Sequence, residues 1–412
     1  MCAHREVPSM NVYAKWGVPT IINCAGPVTR LGGALMADQV VRRMAEAAAE
    51  SVSIEALQAA ASRFIAEITG TTAGLVTVGA AAAVTLGTAA VLTGLDIRRM
   101  EQLPDTHGFP NEFLVARDQR NAYDRAVRAA GGKLIEVGFD EVHAGAGVRR
   151  CEPWEFAQAI GPHTAGIFYV YRDNAQPPLE AVVEVAHSRG LPVLVDAAGF
   201  MGTLSALRRL VSTGADLFAF SGGKVIGGPQ ASGFLCGRQP WIAAAALQML
   251  DMDEHWQLWQ PPEDWIPKSQ LVGLPRHGIG RAMKVSKELI IGLLTALELY
   301  VQDSAAEVAR RSRWRLEQIA AALAPLHVTY QWIEPADSSA PPKLRVVVDE
   351  LRLGRTALDV CSSLRSGCPP IYVNTSELSR GAILIDASVM RDDQLAAVIR
   401  RLSEEVGIIR MA

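Results

Sequence analysis

Apolar residues in the first half of the chain fall into two alternating kinds of run. Short blocks rich in Val, Ile, Leu and Phe stand at Leu75–Val78, Phe113–Ala116, Lys133–Val137, Ala165–Tyr171, Pro192–Asp196 and Leu217–Phe220. Between them lie stretches of helical length at Ala80–Leu92, Arg120–Ala130, Glu152–Ile160, Leu179–Arg189 and Leu204–Thr213. Unbroken blocks such as Leu191–Val195 fit strands covered on both faces. The β-α alternation therefore predicts an α/β fold with a mainly parallel sheet and helices on both faces.

The pattern changes after residue 240. Trp241, Trp256, Trp259 and Trp265 crowd together with Pro261, Pro262 and Pro267 between them, which predicts a loop packed on the body or on a partner subunit. From Met283 a helical pattern runs through Leu289, Leu293, Leu297 and Tyr300 towards Ala324. It leads into a smaller α+β unit with strands at Leu344–Val348 and Ala382–Ile385 and helices at Arg355–Ser366 and Asp392–Glu405. The expected division is an N-terminal arm contributing to the site (1–50), a large α/β domain (51–299) and a small C-terminal domain (300–412). Residues 74–95 are uncharged and long enough to span a bilayer. Gly79, Gly87 and Gly94 interrupt them and no Trp/Tyr belt flanks them, so they read as a buried strand and helix.

Composition narrows the function. The chain has 412 residues with 40 Lys+Arg against 43 Asp+Glu, a net charge of −3, which leaves no electrostatic footprint for nucleic acid or an anionic membrane. At 49% hydrophobic and 20% charged, it has the means to build a core. The six cysteines (Cys2, Cys24, Cys151, Cys236, Cys361, Cys368) contain no C-x-x-C and read as reduced thiols of a cytoplasmic protein, with no metal site. No apolar secretory segment follows Met1–Met10.

The strongest chemical signal lies between Val193 and Gly228. Asp196 ends a buried strand, where open α/β sheets bind ligands. Phe218-Ala219-Phe220-Ser221-Gly222-Gly223-Lys224 then runs a strand into a turn that presents a lysine, with Gly227, Gly228 and Pro229 behind it. The two glycines would let the backbone approach something bulky, and an apolar site would depress the lysine pKa. Either group alone is an ordinary cap or turn. Together they match what pyridoxal phosphate needs, a lysine for its Schiff base and a carboxylate beside its pyridine nitrogen. Val78-Gly79-Ala80-Ala81 is a strand–helix junction of tiny side chains whose free N–H groups would hold a phosphate. It is not a P-loop, since no Gly-Lys-Ser/Thr follows.

These segments resemble a fold-type-I pyridoxal-phosphate family, the one containing bacterial selenocysteine synthase (L-seryl-tRNA selenium transferase) and the D-glucosaminate-6-phosphate ammonia-lyases. The matching stretches are Ile21–Gly33, Gly79–Ala81, Arg120–Asp124, Gly214–Leu217, Ser221–Lys224, Gly228–Gln230 and His277–Glu288, with a weaker match at Gly367–Tyr372. The resemblance implies that Lys224 carries the cofactor and Asp196 pairs with its ring nitrogen. It also implies that Ser221 and the Gly79, Ala80 and Ala81 amides contact its phosphate, with Gly228 beside them. Where the family often carries a histidine that stacks on the ring, this chain has Gln119, which has no aromatic face and does not titrate near neutrality. Either Gln119 covers the ring by amide packing or another residue does. Thr29, Arg30 and Gly32 in the glycine-rich N-terminal segment, together with Arg281, are the candidates for substrate binding, the two arginines for an anion.

A transfer-RNA substrate would call for a basic surface or added domain. The chain has a pI near 6.3, no Lys/Arg block and no long extension before Tyr13. The expected activity is therefore a lyase performing α,β-elimination on a β-hydroxy amino acid, such as D-glucosaminate or its phosphate, to give a 2-keto acid and ammonia. Racemisation, retro-aldol cleavage and decarboxylation draw on the same cofactor chemistry and remain alternatives. A selenium transferase or a non-catalytic binder fits less well. At least a homodimer is expected, since the Trp241–Pro267 segment offers apolar surface.

Overall fold

The computed structural model describes residues 12–139, 149–172, 174–302, 304–326, 328–335 and 340–407. The chain divides into two compact units, one of residues 36–303 and one joining the segment up to Leu35 with residues from Ser304 onward.

The larger unit is built on seven strands: β1 (Ala73–Thr77), β2 (Glu112–Ala116), β3 (Lys133–Val137), β4 (Thr164–Val170), β5 (Val193–Asp196), β6 (Leu217–Ser221) and β7 (Gly233–Gly237). Their order across the sheet is β1-β7-β6-β5-β4-β2-β3. β2 through β6 pair in parallel, and only β7 is antiparallel, lying between β1 and β6. Six of the seven strands were legible as apolar blocks. β7 was not, because Gly-Phe-Leu-Cys-Gly is bracketed by glycines and too short to carry a period.

Helix α1 (Asp38–Ala48) packs against the helix Lys287–Val301 within this unit. Helix α2 (Ile54–Thr69) protects the sheet edge: Gln58 accepts the Val76 N–H at 3.0 Å and donates to its carbonyl at 2.9 Å, while Ser62 accepts the Gly74 N–H at 2.9 Å. The outer backbone groups of β1 are thereby paired and closed to a further strand. Helix α3 (Gly79–Thr93) is buried on nearly every side, which explains its uncharged sequence. No single helix among the described residues is long and apolar enough to cross a membrane.

Trp259 and Trp265 are each 2% exposed, and the Trp259 indole donates to Glu55 at 2.6 Å. Lys268 lies 4.4 Å over the Trp256 ring and donates to the Trp256 carbonyl at 2.7 Å. The segment thus packs on its own unit, and these two tryptophans do not supply the apolar contact surface expected of them.

In the smaller unit, Ile22–Cys24 pairs in parallel with Ile371–Val373. Lys343–Val347 lies between Thr329–Ile333 and Ala382–Ile385 in an antiparallel sheet. Leu316, Leu344, Val360, Ile371, Ile383 and Val398 belong to its core. The helical run expected from Met283 to Ala324 is two helices, Lys287–Val301 and Ser304–Leu323. Cys24, Cys151, Cys236 and Cys361 are free and buried, and burial pushes the Cys24 and Cys236 thiols up to about 12. Cys368 is disulfide-bonded, so the expectation of six reduced thiols does not hold.

Candidate active site

Strand direction gathers the site. β1 and β6 both run antiparallel to β7, so they are parallel to each other and to β2 and β5. Whatever follows β1, β2, β5 and β6 must therefore meet at one sheet edge. Gly79 follows β1, Gln119 follows β2, Asp196 closes β5, and Ser221 closes β6 just ahead of Lys224. Arrangement at the carboxyl edge of an open sheet is the general solution for ligand binding in such folds.

Lys224 is half-buried, and its Nζ donates to the Ala198 carbonyl at 2.7 Å. Burial lowers its pKa from the ordinary lysine value, and the nearby Asp196 charge opposes the shift. Asp196 is 7% exposed and accepts the Ala198 N–H at 3.0 Å. Burial raises its pKa, while that N–H and Lys224 pull it back down.

The glycines ahead of Lys224 have a different partner from the one expected. A Cβ on Gly222 would collide with Ser232 Oγ, and one on Gly223 would stand 2.6 Å from Gln230 Cα. What approaches them is the chain's own returning loop. The Gly228 N–H donates to the Gly222 carbonyl at 2.8 Å, so Gly228 closes the loop that carries the lysine.

At the head of α3, Val78 makes no side-chain cap and Gly79 sits at φ +84°, a conformation that favours glycine. Ala81 is exposed, so the first turn opens outward with N–H groups that no cap has taken. β7 comes up hard against this turn: a Cβ on Gly233 would lie 2.5 Å from the Gly79 carbonyl carbon and 2.7 Å from the Ala80 nitrogen. Sequence reasoning missed Gly233. Its only signal was a glycine at the start of an apolar run.

Gln119 is 1% exposed, and its amide is already engaged. Oε1 accepts the Val170 N–H at 2.9 Å and Nε2 donates to the Gln176 carbonyl at 3.5 Å. The residue thus ties the loop after β2 to the end of β4. Two aromatic residues at the same edge were not anticipated. Phe200 packs edge-on against Phe220 at 5.8 Å and tilted against Tyr171 at 6.2 Å, and the Tyr171 N–H donates to the Asp196 carbonyl at 2.9 Å.

The remaining candidates lie on other segments of the chain. Arg281, in the turn Ile279–Met283, is ion-paired with Asp251. Asp251 is held below its ordinary pKa first by the Asp253 N–H and then by His277 and Arg281. Thr29, Arg30 and Gly32 form a turn of the smaller unit, with Gly32 at φ +92° and the Arg30 guanidinium 5.9 Å from the Tyr372 ring centre.

The donor set of the larger unit fits pyridoxal phosphate. It offers an uncapped helix head for a phosphate, a buried carboxylate for a ring nitrogen, and a lysine on a glycine turn with a lowered pKa.

Comparison with known proteins agrees. Residues 123–252 match the family model of L-seryl-tRNA selenium transferase. The chain is 30% identical over 403 residues to the D-glucosaminate-6-phosphate ammonia lyase of Salmonella typhimurium strain 14028s, covering 96% of this chain and 97% of that one. It is 32% identical over 403 residues to a 5'-C-glycyluridine monooxygenase-decarboxylase of a Streptomyces species, covering 95% and 91%. A solved structure of D-glucosaminate-6-phosphate ammonia-lyase superposes with a TM-score of 0.77 at 29% identity, covering 97% of this chain and 99% of that one.

Proposed function

Because this chain belongs to the fold-type-I pyridoxal-phosphate family that holds L-seryl-tRNA selenium transferase and D-glucosaminate-6-phosphate ammonia lyase, we propose that it is an ammonia-lyase acting on an amino-sugar acid of the D-glucosaminate type. The observation that carries this reading is the joint attachment of Lys224 and Asp196 to Ala198 at the carboxyl edge of the sheet.

Lys224 would carry the cofactor, with Gly79, Ala80, Ala81 and Ser221 around its phosphate and Asp196 at its ring nitrogen. Bound there, pyridoxal phosphate supplies an electron sink for negative charge at the α-carbon of an amino acid. The chain's own groups manage protons. Nζ of Lys224, biased by burial towards the neutral amine, accepts the α-proton of the substrate. Asp196, beside the ring nitrogen, would favour that nitrogen's protonated form; burial raises the Asp196 pKa, and the Ala198 N–H and Lys224 oppose that rise. Loss of the β-hydroxyl as water leaves an enamine, which water converts to the 2-keto acid and ammonia. The overall change releases one ammonia per keto acid and requires no oxidant.

Gln119 would hold the loop that borders the ring, and the Phe200–Tyr171 pair supplies aromatic surface at the same edge. Thr29, Arg30, Gly32 and Arg281 remain the proposed contacts for substrate. The working unit is proposed to be at least a homodimer; active enzyme sedimenting as a single 44 kDa species at micromolar concentration would contradict that. The function itself is tested by a product screen of β-hydroxy D- and L-amino acids, with D-glucosaminate and its 6-phosphate included. Ammonia and a 2-keto acid are expected from the sugar acids. Aldehyde, carbon dioxide or mere epimerisation as the sole product would overturn the reading.

A further inference from the structure

In the smaller unit, the turn Thr29–Leu31 and the helix Ala357–Ser366 bring two cations to one ring. The Arg30 guanidinium lies 5.9 Å from the centre of Tyr372, and the Arg365 guanidinium lies 5.1 Å from it. Among the described residues neither guanidinium has an acidic partner or a hydrogen bond, and Arg365 Nε is buried with its N–H unmet. Other arginines of this unit are matched. Arg311 and Arg315 share Asp392, Arg355 and Arg401 share Glu405, and Arg345 and Arg380 share Glu377.

A cavity of about 420 Å³ opens beside Arg365. Ser362, Ser366 and Thr375 line it together with Leu358 and Leu378, so it offers hydroxyls as well as an apolar wall. Its size falls in the range of small-molecule pockets, roughly 300–1,000 Å³.

Arg30 is exposed and Arg365 partly buried, so both are open to a ligand, and a buried N–H without an acceptor is costly. A monocarboxylate would neutralise only one of them. A phosphate monoester carries close to two negative charges and several acceptor oxygens, and guanidinium groups recognise such oxygens in pairs. We propose, resting on the amino-sugar-acid reading above for the kind of ligand, that Arg30, Arg365 and Tyr372 form a binding site for a phosphate monoester, with the neighbouring cavity receiving the organic part of the ligand.

The test uses the pyridoxal-phosphate-loaded protein, so that the helix head at Gly79 is already filled. Sorbitol 6-phosphate, inorganic phosphate and sorbitol are titrated by calorimetry. Sorbitol 6-phosphate has no amine and cannot react at Lys224, so the result is independent of the reaction assigned to that lysine. The expected result is saturable binding of sorbitol 6-phosphate, weaker saturable binding of phosphate, and none of sorbitol. Arg365→Gln should weaken sorbitol 6-phosphate at least tenfold and Arg30→Gln severalfold. Arg380→Gln, an equal loss of charge in the same unit, should leave binding unchanged. If Arg365→Gln does not fold, Arg365→Lys keeps the charge but loses the fork and should still bind severalfold more weakly. The proposal is overturned if the parent binds sorbitol 6-phosphate without saturation, or if the Arg30 and Arg365 variants bind it as the parent does.

Discussion

Lys224 and Asp196 are fastened to opposite ends of one residue: the lysine Nζ donates to the Ala198 carbonyl at 2.7 Å, and the carboxylate accepts the Ala198 N–H at 3.0 Å. The strand end therefore fixes the proposed base and the proposed ring-nitrogen partner together. Their electrostatics are coupled, since each opposes the shift that burial imposes on the other.

That coupling gives a pH prediction for the cofactor-free protein. Asp196 has its pKa raised by burial, so its stability cost grows as pH rises above the ordinary carboxylate range and through the raised value. Lys224 has its pKa lowered, so its cost grows as pH falls below the ordinary lysine range. Lys224→Met removes the second cost and strips Asp196 of its counter-charge. Urea midpoints of the apo variant should fall more steeply than those of the parent between about pH 4 and 7. Parallel curves would show that the two groups do not sense each other.

Asp196→Asn should reduce turnover by about 10²–10⁴-fold, the range typical of a lost proton-handling group, while cofactor affinity changes much less. An amide cannot hold a proton on a pyridine nitrogen, but the head of α3 is untouched. Cofactor release by equilibrium dialysis, compared with kcat, separates the two effects. Near-full turnover with cofactor bound would remove Asp196 from the mechanism.

Gly233→Ala should damage cofactor binding without touching any group that contacts substrate. Its methyl would press within 2.5 Å of the Gly79 carbonyl carbon and so displace the turn at the head of α3. Cofactor affinity should fall at least tenfold, with a loss of stability of about 1–3 kcal/mol from overpacking. Parent-like cofactor affinity would mean that the turn tolerates displacement.

Gln119→His keeps a ring acceptor for the Val170 N–H only while the imidazole is neutral. Burial should lower that imidazole's pKa, so the variant should lose stability relative to the parent as pH falls from about 7.5 to 6, around the ordinary histidine value. Thermal midpoints at the two pH values check this. An equal difference at both would mean that the residue does not need the Val170 hydrogen bond.

Much of the larger unit was legible because its strands are buried on both faces and so appear as unbroken apolar blocks. Asp196 stood out because it ends such a block, and Lys224 because it follows one across a two-glycine turn. What stayed hidden depends on contacts far along the chain. Gly233 matters through Gly79, Gln119 through Val170, and Arg281 through Asp251, separations that no local pattern records. The three-residue strand Ile22–Cys24 was equally invisible, since its partner is Ile371–Val373.

The two relatives of similar identity name different outcomes, loss of ammonia in one and oxidative decarboxylation in the other. The most direct measurement is therefore a stoichiometry. Parent and Lys224→Ala proteins are incubated with D-glucosaminate and with its 6-phosphate in an oxygen-electrode cell, and ammonia, 2-keto acid, carbon dioxide and oxygen uptake are recorded together. The account predicts ammonia and 2-keto acid in equal amounts from at least one of the two, no oxygen uptake, no carbon dioxide, and no product at all from Lys224→Ala. Carbon dioxide released in step with oxygen uptake, or undiminished turnover by Lys224→Ala, would contradict it.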